Sequence, residues 1–216
     1  KGDQVTLWCH GEESFQEIQN RGENRAYLPG IALPRSLRVT RSISEVVVAK
    51  EMIICVVPSH KAREVMQRAA PHMAPRALLV CATKGIEEES LKTMGEVMSE
   101  VFGSAIKERL AFLSGPNFAL EVARGLPGAT TVAAFVPSVA GEIQAALSTH
   151  SLRVYTSGDV VGVQLGGVVK NVIAIAAGIC DGLSLGYNAR AALITRGLAE
   201  MTRLAGKMGA DPLTLS

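Results

Sequence analysis

Val160–Cys180 reads VVGVQLGGVVKNVIAIAAGIC, and Lys170 is its only charge. A lysine held in such a segment must pair with a carboxylate, reach solvent along its stem, or take part in chemistry. Burial pulls an ammonium pKa toward neutrality, which suits proton transfer. Gly166 precedes Lys170 by one helical turn on the same face, so its missing side chain leaves room for a ligand above the ammonium. Asn171 adds a donor and an acceptor beside it. Two readings of Lys170 stand on these residues: a proton donor and acceptor, or the partner of a carboxylate on a neighbouring helix.

A second set of candidates follows three strand-like runs. Met52–Val57 ends in Pro58-Ser59, Ala77–Thr83 in Lys84-Gly85, and Leu110–Leu113 in Ser114-Gly115-Pro116-Asn117. Ligands of open α/β sheets bind beyond the carboxyl ends of the strands. Lys84 aims a cation there. Gly85 and Gly115 let a ligand approach the backbone, and a helix starting near Asn117 offers free N–H groups to an anion. Taken singly, each loop reads better as turn punctuation; three in a row on one rim bring the ligand-binding reading level with it. Further on, Arg196 reads as an ion-pair residue locking helices together, ahead of one reaching an anion, in a stretch that also carries Asp181, Asn188 and Arg190. The four cysteines and four histidines show neither CxxC nor HxxxH spacing. No metal site is expected, and the cysteines read as buried free thiols.

The elements that must position these residues show as an alternation of short apolar runs with amphipathic stretches. Strands are expected at Gln4–Trp8, Leu37–Thr40, Met52–Val57, Ala77–Thr83, Leu110–Leu113, Thr130–Ala134 and Arg153–Thr156. Helices are expected near 12–20, 43–49, 59–70 (with Ser59 as N-cap), 88–102, 117–123 and 138–147. Met52–Val57 reads as a strand buried on both faces. This pattern predicts an α/β fold with a mainly parallel sheet and helices on both faces. From Asp159 the strand signal stops, and 159–182 and 188–208 read as long helices. The expected division is residues 1–157 for the α/β domain and 158–216 for the start of an all-helical one.

At 48% hydrophobic and 19% charged residues, the 216-residue chain can bury a sizeable core, which excludes intrinsic disorder. A net charge of +2 and 4% aromatic residues give no basic field and no stacking platform, so no nucleic-acid partner is expected. The run around Lys170 is long enough to cross a bilayer. A central lysine costs about 2.5–3.5 kcal/mol there, and Gln164 and Asn171 add polarity. It reads as a buried helix rather than a membrane span.

The segments VVPSH (56–60), ATKG (82–85), SGPNFALEVARGLP (114–127), GVQLGGVVKNVIAIAAG (162–178) and NARAALITRGLAEM (188–201) closely resemble bacterial NAD(P)-dependent glycerol-3-phosphate dehydrogenase, in order from Lys1 to Ser216. The resemblance implies a Rossmann-type, doubly wound dinucleotide-binding domain over 1–157. It implies the beginning of a helical, 6-phosphogluconate-dehydrogenase-like substrate domain over 158–216. It also implies reduction of dihydroxyacetone phosphate to sn-glycerol 3-phosphate for phospholipid synthesis, with NADP or NAD, in a cytoplasmic homodimer. Lys170 matches the catalytic lysine, the general acid toward the ketone oxygen. Lys84 matches a lysine touching both cofactor and substrate. Gly115, Asn117 and Asn171 fall at substrate positions, with Asn117 where a small hydroxyl residue is expected. Ala119 and His10 fall at cofactor positions. The end of the second strand reads Trp8-Cys9-His10, without the acid that binds a ribose 2′-OH at that point; this leaves room for a 2′-phosphate, though Glu12 and Glu13 lie close by.

The chain carries no GxGxxG, and Gln4–Trp8 corresponds to the family's second strand. The expectation is therefore a piece of a longer enzyme, with a break in the sheet where the first strand would lie, one spacing of about 4.8 Å from each neighbour. A related 2- or 3-hydroxyacid dehydrogenase and a non-catalytic nucleotide-binding protein are the alternative readings.

Overall fold

The computed structural model describes residues 3–215; Lys1, Gly2 and Ser216, the outer ends of the resemblance, lie outside the described residues. The first unit holds β1 (Thr6–Trp8), α1 (Glu12–Arg21), β2 (Glu23–Asn24), β3 (Leu28–Ala32), β4 (Arg38–Thr40) and α2 (Ile43–Val47). There follow β5 (Met52–Cys55), α3 (Ser59–Ala69), β6 (Leu78–Cys81), α4 (Met94–Phe102) and β7 (Leu110–Ser114). The chain continues through α5 (Ala119–Ala123), β8 (Gly128–Ala134), α6 (Pro137–Leu147) and β9 (Leu152–Ser157), and ends in α7 (Val160–Gly182) and α8 (Gly186–Lys207).

The main sheet has the order β5-β6-β7-β8-β9 and is parallel except between β7 and β8. Strand β6 explains why its run is continuously apolar. Leu79 faces a core shared with α3, α4 and the start of α7, and Val80 faces a second core shared with α6. Both are fully buried, as a strand covered by helices on both sides requires. The architecture is the mainly parallel, doubly wound α/β fold expected, continuing into helices.

The expected break in the sheet is present. β1 and β4 form a parallel pair of their own, separate from the five-stranded sheet. Strand β5 is in consequence an edge, which corrects its reading as a strand buried on both faces: Ile54 is 46% exposed and Val56 beyond it 69%.

Other differences have local causes. The β2–β3 hairpin has no counterpart among the expected strands; Pro29 and Gly30 interrupt its apolar pattern. Helix α4 begins at Met94 rather than near 88, because Thr93 and Glu96 form a reciprocal capping box. Pro58, not Ser59, caps α3, and Ser59 makes no side-chain cap bond. Helix α7 is buried along its first half, at Val160, Val163, Leu165 and Gly167. Its second half exposes Val172, Ile175 and Ile179. It is apolar and long enough to cross a membrane, but it packs on β7 and α8, so the fully buried helix expected is found only over its N-terminal half.

Candidate active site

The ends of β5, β6 and β7 are laced into one rim. Ala82 N–H donates to the Cys55 carbonyl at 2.8 Å, and the Thr83 hydroxyl donates to the Val57 carbonyl at 2.8 Å. This fixes the backbone just before Lys84. The Lys84 ammonium then crosses to the β7 loop and donates to the Gly115 carbonyl at 3.0 Å. The same carbonyl accepts the Asn117 N–H at 3.1 Å, so Lys84 and the Asn117 backbone meet on one oxygen.

Gly85 and Gly115 do not open space for a ligand, contrary to expectation. A β-carbon on Gly85 would lie 2.8 Å from Ser59 Oγ, and one on Gly115 2.9 Å from Thr130 Cα. Both are glycines because a neighbouring element, the first turn of α3 at Gly85 and strand β8 at Gly115, occupies that volume. Gly85 also has φ +125°, which a side chain would strain.

Helix α7 brings the second lysine. Its N-terminus is set by Asp159, which accepts the Gly162 N–H at 2.8 Å on one oxygen. The other oxygen accepts the Asp211 N–H at 2.9 Å and the Thr214 hydroxyl at 2.6 Å. Burial pushes this carboxyl up, but those donors outweigh it and its pKa is net lowered. Gln164 accepts the Gly95 N–H at 2.8 Å, latching α7 to the first turn of α4. The residue facing the rim is Gly167: a β-carbon there would sit 3.0 Å from Ser114 Oγ and 3.6 Å from Lys84 Cγ. Gly166, to which the sequence assigned the ligand space, is covered by Leu215, 2.8 Å from where its β-carbon would be.

Close approach at Gly167 brings Lys170 against Lys84. Burial first, and the Lys170 ammonium second, lower the Lys84 pKa to about 8. Among the described residues no carboxylate pairs with either ammonium. The alternative reading of Lys170, an ion pair with a neighbouring helix, is therefore not what the fold builds. Two adjacent cations without a counter-charge attract an anion and stabilise negative charge developing on an oxygen.

Asn117 completes the cluster. Its side-chain amide donates to Thr130 Oγ1 at 3.0 Å, while that hydroxyl donates to the Ser114 carbonyl at 2.9 Å. The Asn117 Oδ1 is buried and has no hydrogen-bond partner among the described residues. An orphaned acceptor costs about 1–3 kcal/mol and calls for a donor, an O–H or N–H of a ligand.

Other expected residues lie elsewhere. His10 is exposed beyond β1, its ring 5.8 Å from that of Trp8. Ala119 is the exposed first residue of α5, a helix of five residues, too short to act as the anion-binding dipole expected near Asn117. Asn171 is exposed on α7 and makes none of the hydrogen bonds joining Lys84, Gly115 and Asn117. Arg196 forms an ion pair with Glu200 at 2.9 Å, one turn along its own helix, so it does not lock two helices together as expected. Thr130, Gly167 and Asp159 are not among the candidates that the sequence offers. The paired glycines at 166–167 were the available signal, with the emphasis on the wrong member.

A doubly wound α/β unit leading into long helices, with a pair of lysines where they meet, is the architecture of the two-domain Rossmann-type class. Residues 1–142 match the model of the NAD-dependent glycerol-3-phosphate dehydrogenase N-terminus, and residues 159–216 that of its C-terminus. The chain belongs to this family of NAD-dependent glycerol-3-phosphate dehydrogenases. It is 49% identical over all 216 residues to glycerol-3-phosphate dehydrogenase [NAD(P)+] of Citrifermentans bemidjiense, covering 64% of that protein. It is 48% identical to the same-named protein of Anaeromyxobacter dehalogenans, covering 65% of it. The crystal structure of glycerol-3-phosphate dehydrogenase from Coxiella burnetii superposes with a TM-score of 0.92 at 38% identity, over 99% of this chain and 65% of that one. The chain thus spans about two thirds of the length of the relatives it matches.

Proposed function

We propose that this chain forms the catalytic centre of an enzyme that reduces dihydroxyacetone phosphate to sn-glycerol 3-phosphate, supplying phospholipid synthesis. NADPH or NADH, when bound, would supply the hydride for the carbonyl carbon of the substrate. Lys170 gives its proton to the carbonyl oxygen as negative charge develops there; in the reverse direction it takes the hydroxyl proton. Lys84, anchored on Gly115, holds substrate and cofactor in register and adds a second positive charge. Asn117 Oδ1 accepts from a substrate hydroxyl, which ends its isolation, and Asn171 contributes at the outer side of the substrate. His10, beside Trp8 at the end of β1, and Ala119 serve the cofactor. On this reading residues 1–157 are the dinucleotide-binding domain and 158–216 the start of the substrate domain. The enzyme works in the cytoplasm as a homodimer, without a membrane span.

What supports the reading is the pair of ammonium groups, one from the sheet rim and one from α7, with no carboxylate between them. The test is oxidation of NADPH and of NADH by the purified parent protein on addition of dihydroxyacetone phosphate. Substrate-dependent oxidation with either cofactor is expected. A folded protein that oxidises neither refutes the proposal.

A further inference from the structure

We propose that the cavity between the end of α1 and the segment leading into β4 binds a small soluble molecule carrying at least two phosphate groups. The cavity measures about 560 Å³, within the range of small-molecule sites, roughly 300–1,000 Å³. Ile18, Leu33 and Leu37 give it an apolar floor, and Arg21, Arg35 and Arg38 stand around it. No acidic residue lines it.

What sets this cavity apart is that it gathers three arginines. Arg25, Arg41, Arg63, Arg68, Arg190, Arg196 and Arg203 each pair with a carboxylate. Arg21, Arg35 and Arg38 form no ion pair among the described residues; Arg76, Arg109, Arg124 and Arg153 likewise form none. The acids nearest Arg21 in sequence, Glu17 and Glu23, are both engaged by Arg25. The cations are not needed to cap α1 either, because the Gly22 N–H closes its last turn on the Ile18 carbonyl at 2.9 Å. The wall is held in place: Leu33 N–H donates to the Gly22 carbonyl at 2.7 Å, tying the segment before β4 to the end of α1. Three arginines lining one concave, half-apolar surface match a ligand with adjacent phosphates and an organic body, since each guanidinium fork can engage two oxygens of one phosphate. The cavity lies at the N-terminal end of β4, whereas Lys84 follows the C-terminal end of β6, so the two sites use different residues throughout.

The test is calorimetric titration of the purified protein with inorganic pyrophosphate at physiological salt. Binding is expected, weakened about tenfold for each arginine removed, or about 1.4 kcal/mol per decade, in Arg35→Ala and in Arg35→Ala/Arg38→Ala. These side chains are exposed, and circular dichroism checks that the variants fold. The arginine-dependent binding must persist in Lys170→Ala, which separates this site from the lysine pair. No pyrophosphate binding, or binding insensitive to the double substitution, overturns the proposal. A parallel arm sediments the protein with vesicles of phosphatidylcholine, alone or mixed with phosphatidylglycerol. Arginine-dependent capture by the mixed vesicles without pyrophosphate binding overturns the soluble ligand in favour of a lipid headgroup.

Discussion

Lys84 is a cation that its surroundings oppose, and two consequences are measurable. Its pKa is lowered to about 8, by burial first and by Lys170 second. A lysine with a folded pKa below its unfolded value binds fewer protons in the native state as pH climbs, so stability rises with pH. The gain should set in near pH 8 and be complete near the ordinary lysine value of about 10.4. Denaturant titrations across that window should show the rise in the parent protein and a flatter profile in Lys84→Met; identical profiles would show that Lys84 is not perturbed. Lys170→Ala should lower turnover by roughly 10²–10⁴, the usual contribution of a positioned general acid, with circular dichroism unchanged. Near-normal turnover would remove Lys170 from the proton transfer. The same variant should move the Lys84 transition upward, because one of its two causes is gone.

At the scale of elements, the site depends on how closely α7 approaches β7. Gly167→Ala places a methyl 3.0 Å from Ser114 Oγ, so helix or loop must yield by a few tenths of an ångström. Turnover should fall by about tenfold or more, since small misplacements of reacting groups are costly, while stability changes by no more than about 1–3 kcal/mol. Parallel turnover and melting data would separate this from a general loss of fold. Much of this frame was legible in the sequence. Runs such as Leu78–Cys81 announce strands because both faces are buried, and the lysines at 84 and 170 stand out by chemistry alone. The β2–β3 hairpin was not legible, because Pro29 and Gly30 break its alternation. Nor were the reasons for the glycines. Gly115 answers to Thr130 and Gly85 to Ser59, partners that come close only once strands have paired. Gly166 and Gly167 differ by a 100° turn of one helix, a distinction that only the seating of α7 on β7 decides. The antiparallel β8 was likewise hidden, since strand direction leaves no mark on composition.

Across the whole molecule, the cooperative core belongs to the five-stranded sheet. Leu79, Val80, Leu110 and Val132 are fully buried there. The β1–β4 pair has three residues per strand and leaves Leu7 39% exposed. Hydrogen exchange should therefore protect the amides of β6 and β7 more strongly than those of β1 and β4, by at least about an order of magnitude; equal protection would show that the two sheets open as one unit. The helical region has a different kind of integrity. Asp159 gathers the Gly162 and Asp211 amides and the Thr214 hydroxyl onto one carboxylate. The chain thus returns to its starting point 52 residues later, and α7 and α8 form a loop clasped at the neck. The entropy of closing such a loop grows only logarithmically, by about 0.6 kcal/mol per doubling of length. The exposed turn at Leu183–Leu185 is therefore a place where the chain can lengthen during evolution, while the clasp keeps the stem that carries Lys170 in place.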